Sequence, residues 1–510
     1  MMTGLHPRRI SRPALALLLP ATVQLLIHLF FATGYGLGGD ELYAIACSNT
    51  PAAGYVDLAP VPVLLLALQR MFGGDALIAI RFVPAVIAAV AVYFTGLIAR
   101  RMGAGAYGQF LAALCALIAP ALLVAGHVAT PFGFAVLWWT IGTYVVVRLL
   151  QENTRLGWIL LGLVSGVGLL CSFSMAFFVV AAFLAVVLTP LRKQLLTIWP
   201  WAGAATAVVM MIPWALWQST HAWPTIEWMG VTYGRHASAM PILDVLIDQV
   251  KLLHPLTIVV WLPGLGALCF ARPFRPWRAI GWMYIATAML MIAVAMEPHY
   301  LVPAAAGLFA AGAVLVEKVL ARSWMRVTTV VVLVLAGVAT LPMGLPVLPA
   351  RTFIDYEKMS GFRMTMGNAE CTDRLPGYYG TMFGRKELAT VMNAVFTTMP
   401  PEERGRYGIF CETAVQAASL DFYGKDYTFP AAVSGDRQYW YRGPGGYTGD
   451  RLVVVGVNEE DLRTLFGEVH LRMRFRDEYL HPGNGMTPVW LVGRPAQPLE
   501  KAWTQLWTIR

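Results

Sequence analysis

The chain has 510 residues, 57% of them hydrophobic and only 13% charged, with a mean hydropathy of +0.60. That balance excludes an ordinary soluble globular protein. The formal charge of +9 does not point to nucleic acid either. Residues 1–350 hold 19 basic and 10 acidic side chains, residues 351–510 hold 19 of each, and no basic, aromatic-interleaved patch occurs.

Long apolar runs recur from about Ala14 to Pro346, each close to the ~20 residues that carry a helix across ~30 Å of hydrocarbon. Eleven spans are predicted: 14–34, 76–99, 107–126, 131–150, 156–171, 173–190, 199–217, 254–271, 279–296, 300–320 and 325–346. The first follows Arg8-Arg9-Ile10-Ser11-Arg12. Its length, and the lack of a small-x-small site before Tyr35, read as an uncleaved anchor rather than a signal peptide. With the N-terminus inside, the inner loops carry fifteen Lys and Arg and the outer segments up to residue 350 carry four, namely Arg70, Arg81, Arg235 and Lys251. This asymmetry predicts a multi-pass protein of the bacterial inner membrane, with a cytoplasmic N-terminus and an extracytoplasmic C-terminal part.

Two long outer segments interrupt the array, 35–75 and 218–253. Within the first, Glu41–Ser48 and Val63–Phe72 are too short to span and are expected to lie on the membrane as interfacial helices. After Pro342, Pro346 and Pro349 the composition changes, which divides the chain into a membrane domain, 1–348, and a soluble module, 349–510. In that module Glu387–Thr398 and Glu460–Phe466 read as helices, and Tyr407–Cys411, Leu452–Val457 and Val489–Val492 as strands, giving a small α/β domain. Phe422-Tyr423-Gly424 and Ser434-Gly435-Asp436 are expected as loops, and the run from Trp440 to Gly446 as an exposed aromatic loop. Cys371 and Cys411 share this module and are a candidate pair in an oxidising compartment. Metal-binding spacing of Cys and His is absent from the sequence.

Asp40-Glu41, after the Gly-rich Gly34 to Gly39, is the most informative pair. Such a carboxylate at the lip of a membrane-embedded cavity suits a general base that takes a proton from an attacking hydroxyl, or a ligand for a divalent ion. Capping an interfacial helix is the competing use. Asp57 adds a second acid in the same loop, with a solvated surface carboxylate as its alternative role. Arg81 and the pair Arg235-His236 are the outward groups suited to a phosphate, Arg235 through the planar fork of its guanidinium. Contact with lipid headgroups is the alternative for Arg235. His127 and His299 suit either a metal or phosphate contact or a hydrogen bond at a helix end. Tyr300 has the amphipathic shape of an interfacial ligand contact.

The run Gly39-Asp40-Glu41-Leu42-Tyr43, with Ile45-Ala46-Cys47 and then Gly54-Tyr55-Val56-Asp57, resembles the family 39 glycosyltransferases, which include protein O-mannosyltransferases and the lipid A aminoarabinose transferase. The likeness continues through Gly126-His127, Pro213 to Gln218 with His221 to Thr225, Pro298 to Pro303, Leu375 to Tyr379, Met382 to Gly384 and Leu420 to Gly424. It implies a polytopic α-helical GT-C fold. It also implies an inverting enzyme that moves a hexosyl or pentosyl group from a polyprenyl-phosphate donor to a hydroxyl of a lipid, glycan or protein acceptor outside the cytoplasm. Asp40 is then the prime general base or acceptor-orienting acid, with Glu41 assisting, and Tyr55, Asp57, Arg81, His127, Arg235, His236, His299 and Tyr300 contact substrate. The resemblance names no certain cofactor. A divalent metal would be drawn to Asp40, Glu41 or His299.

Three departures stand beside this likeness, one of them at the outer end of the fourth span, often Asn or Asp bearing in the family, which here reads Thr130-Pro131-Phe132-Gly133-Phe134. Where the family commonly has Asn-Lys or Thr-Lys after the fifth span, this chain has Cys171-Ser172-Phe173-Ser174, and where relatives carry a second Lys it has Glu297. A non-catalytic relative that binds lipid-linked sugar is therefore the alternative function. A transporter or flippase is the other, although ionisable groups at the membrane midplane and related halves, the usual marks of a carrier, are missing from the sequence.

Overall fold

The computed structural model describes residues 15–235, 241–364, 366, 374–480 and 485–508. All eleven predicted apolar runs are helical. They form α1 (Leu15–Phe30) and, after α2 (Gly39–Ser48) and α3 (Pro60–Gly73), α4 (Leu77–Arg101), α5 (Ala106–Ile118), α6 (Pro120–His127), α7 (Pro131–Glu152), α8 (Arg155–Cys171), α9 (Met175–Val187) and α10 (Ile198–Thr220). Two further helices follow, α11 (Pro224–Arg235) and α12 (Ile242–Leu252), and then α13 (Ile258–Phe270), α14 (Arg278–Ala293), α15 (Ala306–Val319) and α16 (Ser323–Gly344). Among the described residues, five helical stretches are long and apolar enough to cross a membrane by themselves, and up to eight if each bent pair counts as one.

The bends have sequence causes. The predicted run 107–126 breaks between α5 and α6 by 66°. Ala119 precedes a proline and is extended (φ −66°, ψ 117°), and Pro120 opens α6 where its missing N–H costs nothing. Elsewhere glycines let helices touch backbone to backbone. A Cβ on Gly162 of α8 would lie 1.9 Å from the Gly203 carbonyl of α10, and one on Gly312 of α15 as close to Val260 of α13. α15 is buried at the centre, whereas α10 and α16 leave Val208, Ile212, Val331 and Leu335 exposed, as an apolar surrounding requires.

The C-terminal part opens with α17 (Ala350–Ser360), α18 (Gly377–Gly380), α19 (Arg385–Thr397) and α20 (Pro401–Arg404). Next come β1 (Gly408–Cys411), α21 (Ala414–Tyr423), β2 (Ala432–Ser434), α22 (Arg437–Trp440), β3 (Arg451–Val455), α23 (Glu459–Leu465), β4 (Phe466–Phe475), β5 (Thr487–Pro495) and α24 (Leu499–Ala502). The sheet order is β2-β1-β3-β5-β4, parallel across β2, β1 and β3 and antiparallel at β5 and β4. The predicted small α/β module is therefore present, and its described residues hold six more helices, several of them a single turn, and two more strands than the sequence suggested. β2 includes Ser434, which was expected in a loop, and Phe422 and Tyr423 end α21 rather than forming one.

Packing does not follow the change of composition at residue 348. Phe353, Leu375, Tyr379 and Met382 lie in the core of the helical body. Leu42, Tyr43, Ile45 and Cys47 of α2 lie in one core with Leu388, Ala417 and Val453 of the sheet domain. α2 is thus not an interfacial helix. Nine of its ten residues are buried, Asp40 being the exception, because the sheet domain covers the surface that the sequence left to lipid. The Trp440–Gly446 loop is likewise not free: Tyr441 donates to the His221 carbonyl at 3.3 Å, and Arg442 donates to the Ala46 carbonyl. The expected pairing of Cys371 with Cys411 falls outside the described residues, which do not include Cys371.

Candidate active site at the seam between helices and sheet domain

The site begins with a turn. After α1 the chain reverses through Tyr35 (φ +61°) and Gly36 (φ +100°), left-handed conformations that cost a non-glycine residue energy and must be held. Arg81 of α4 holds them. Its guanidinium donates to the carbonyls of Ala32 (2.9 Å), Gly34 (3.2 Å) and Gly36 (2.5 Å). It also donates to His127 Nε2 at 3.0 Å, which assigns the ring proton to Nδ1 because arginine cannot accept. Motif segments far apart in sequence close over this turn: the Tyr35 ring meets Tyr379 edge-on at 5.1 Å, and the Tyr379 hydroxyl donates to the Pro342 carbonyl at 2.9 Å.

Glu41 completes the same network. Its Oε2 accepts from Arg81 Nη2 and from the Gly38 amide, both at 2.9 Å, and its Oε1 accepts from Arg81 Nε at 3.2 Å and from the Ala129 amide at 3.1 Å. Glu41 is 0% and Arg81 1% exposed. Four donors consume the acceptor capacity of the carboxylate, so Glu41 is tied to the α1–α2 turn, α4 and the α6–α7 link. Tyr55 is likewise engaged. It is fully buried, its hydroxyl accepts from the Ala52 amide at 3.0 Å, and its carbonyl accepts from Gln218 and Thr225.

Asp40, one residue earlier, faces the other way. It is exposed, and among the described residues it makes no side-chain hydrogen bond or ion pair. Although the residue as a whole is exposed, protein surrounds its carboxyl closely enough that dehydration raises it above the usual carboxylate range. Arg437 and Arg385 oppose that shift, and Asp57 and Glu41 add to it. Asp57 lies alongside, with Oδ1 accepting from the Tyr43 hydroxyl at 2.6 Å and Oδ2 from Arg437 Nη1 at 2.9 Å. Arg437 comes from the sheet domain. Its Nε donates to Asp436 at 3.2 Å and its guanidinium sits 4.5 Å over the Tyr43 ring. Gln438 bridges the same seam, its amide donating to the Tyr43 hydroxyl and its Oε1 accepting from the Val56 amide, both at 3.2 Å.

Asp40, Glu41, Asp57, Arg81 and His127 are thus gathered around the α1–α2 turn. His299 lies against a different set. Its Nδ1 is 3.0 Å from Glu297 but off the axis of a hydrogen bond, and its ring meets Phe132 at 5.2 Å and Tyr300 at 4.1 Å. The Arg235 side chain and all of His236 fall outside the described residues. No three His, Cys, Asp or Glu side chains gather as a metal cluster among the described residues. Glu41, one of the three candidate metal ligands, is instead saturated by Arg81 and two amides. At the departures from the family pattern, the Ser172 and Ser174 hydroxyls lie 3.0 Å apart and Phe173 packs on Trp214. Sequence reading passed over Arg437, Arg385, Gln438 and the role of Tyr43. Arg437 follows Asp436 in a stretch expected as loop, in a module whose acids and bases balance, so nothing in the local pattern distinguished it.

This architecture, a helical membrane body whose loop acids are covered by a small α/β domain, is of the GT-C type. The crystal structure of ArnT from Cupriavidus metallidurans bound to undecaprenyl phosphate shares it with a TM-score of 0.61 and 16% identity, over 94% of this chain and 98% of that one. The same protein in the apo state gives 0.60 and 15%, over 93% and 97%. Residues 57–217 match a family model described as dolichyl-phosphate-mannose-protein mannosyltransferase. Among curated proteins none matches the chain by sequence.

Proposed function

We propose that this chain is a membrane glycosyltransferase that takes a sugar from a polyprenyl-phosphate donor and delivers it to an acceptor hydroxyl. The observation that carries this reading is Asp40, an uncommitted carboxylate in the acidic loop at the seam of a GT-C fold. Support also comes from the undecaprenyl phosphate bound by ArnT and from the mannosyltransferase family model over residues 57–217. In this reading Asp40 accepts the proton of the acceptor hydroxyl as its oxygen attacks the anomeric carbon, and the polyprenyl phosphate leaves from the opposite face, inverting the centre. An elevated carboxyl pKa suits a base of this kind. Asp57 and Tyr43 orient the loop, and Glu41 and Arg81 hold the turn beneath it. The fifteen-to-four distribution of basic residues supports a reaction on the extracytoplasmic face, where no nucleotide sugar is available and a lipid-linked donor is needed.

The test is sugar release by the purified native chain and by Asp40→Asn, in detergent, from a panel of short-chain polyprenyl-phosphate sugars with lipid and peptide hydroxyl acceptors. The expected result is turnover by the native chain and its loss in the variant. Donor binding without consumption across the whole panel, and no dependence on Asp40, would overturn the reading in favour of a non-catalytic sugar-lipid binder.

A further inference from the structure

We infer that Arg437 is a positioning residue which the sheet domain contributes to the transferase site, so that the site is complete only when that domain is docked. The inference rests on the transferase reading above and adds a role for a residue outside the helical body.

Three observations on the seam carry it. The guanidinium joins two carboxylates at once, Asp57 through Nη1 and Asp436 through Nε, and covers the face of Tyr43, whose hydroxyl holds the other oxygen of Asp57. Every acceptor position that orients Asp57 therefore depends on Tyr43 or Arg437. Second, Tyr43 is three residues after Asp40 on α2 and so projects from the same face. Fixing Tyr43 against Asp57 and Gln438 fixes the rotation of the helix that presents Asp40. Third, Arg437 adopts φ +46°, a left-handed conformation that an arginine occupies only when its surroundings enforce it. Here the enforcement is visible: its amide donates to the Thr508 carbonyl at 3.0 Å, and Asp436 is anchored by the Ala414 amide at 2.8 Å and by an N–H to Ser434 Oγ at 3.1 Å.

The charge around the site argues that Arg437 serves these carboxylates rather than a phosphate. Asp40, Asp57 and Asp436 face two cations, Arg437 and Arg385, while Glu41 is matched by Arg81. A guanidinium already shared by two acids in a net-negative cluster is a weak anion site and a strong clamp.

The experiment is a double-mutant cycle on Arg437 and Asp57, read in two ways. Steady-state turnover and melting temperature in detergent are measured for the native chain, Arg437→Gln, Arg437→Lys, Asp57→Asn and the double variant Arg437→Gln/Asp57→Asn. The expected result is a kcat at least roughly tenfold lower in Arg437→Gln, with KM changed less than about threefold, because the residue orients the base without touching substrate. Arg437→Lys regains only part of this, since an ammonium cannot span two carboxylates as a planar fork does. The double variant loses no more than the worse single variant, in kcat and in melting temperature alike. Additive losses, or a raised KM with kcat intact, would overturn the positioning role. A native chain that consumes no donor sinks the transferase reading instead. The melting-temperature cycle still decides in that case, since additivity there shows that Arg437 and Asp57 do not act as one unit.

Discussion

Asp40 and Glu41 are neighbours in sequence and opposites in circumstance. Glu41 is wholly buried, receives four donors and pairs with an arginine that itself holds three carbonyls of the α1 turn. Asp40 is exposed and lies among groups contributed partly by another domain. A buried pair with every hydrogen bond filled fixes a fold and has nothing left to offer a substrate, whereas an uncommitted carboxylate beside it has. The two regions should therefore fail in different ways when altered, one losing chemistry and the other losing structure.

The largest expected effect is on chemistry. Asp40→Asn should lower sugar transfer by about 10²- to 10⁴-fold, the usual contribution of a general base. Its melting temperature should be unchanged or slightly higher near neutral pH, because an isosteric neutral amide removes a carboxylate that is costly to ionise where it stands. A collapse in stability that matched the loss in activity would erase the contrast with Glu41.

Next comes structure. Glu41→Gln leaves Arg81 buried without its counter-charge and should cost about 3 to 5 kcal/mol. This would be measured as a fall in melting temperature and in yield of folded protein. Removing both charges together, as Glu41→Leu/Arg81→Met, should cost less than the single change because no orphaned ion remains. If Glu41→Gln folds normally and loses only turnover, the pair belongs to the chemistry after all.

A smaller, pH-dependent effect belongs to Asp40. Dehydration by the protein around it raises the folded-state pKa of Asp40, so the proton is held more tightly in the folded chain than in the unfolded one. The stability linked to this group is then fully present below the unfolded pKa and is lost as pH rises through the folded value. Turnover should run the opposite way, its acid limb rising as Asp40 ionises and lying above the ordinary carboxylate range. The stability difference between native chain and Asp40→Asn should therefore close as the pH is lowered, and melting curves across the acid range check the sign. A native chain that gains stability relative to the variant as pH rises would contradict it.

How far the sequence reveals this arrangement follows from the range over which each determinant acts. Apolar length is a local property, so all eleven runs were legible, and the Ala119-Pro120 break between α5 and α6 is local too once the pre-proline restriction is applied. The parallel strands β1 and β3 were legible as short buried runs. β4 was missed although Val469, Leu471 and Met473 alternate with polar residues, because its exposed edge carries charge that reads as loop. The site divides similarly. Asp40, Glu41 and Asp57 share one short segment and declare themselves by composition. The partner that distinguishes them does not: Arg81 is 40 residues from Glu41 and Arg437 is 380 from Asp57. Only the fold decides which acid is neutralised and which is left open, and that decision is what separates a structural carboxylate from a candidate base.

The seam allows a last and smallest test, directed at backbone strain rather than charge. At φ +46° a glycine is at ease, while alanine meets its own Cβ against the following carbonyl at a cost of about 1 to 2 kcal/mol. Arg437→Gly and Arg437→Ala both delete the clamp, so they should share the same loss of turnover. They should differ in stability, with glycine the more stable by about 1 kcal/mol, the reverse of their usual order within a helix. That reversal requires the Thr508 and Asp436 contacts to hold residue 437 in its left-handed conformation even without the guanidinium. Equal melting temperatures would mean that the segment relaxes once the arginine is gone. The docking of the sheet domain would then depend on the ion pair itself, and the open region of the site would be held by a single side chain where the closed one is held by a network.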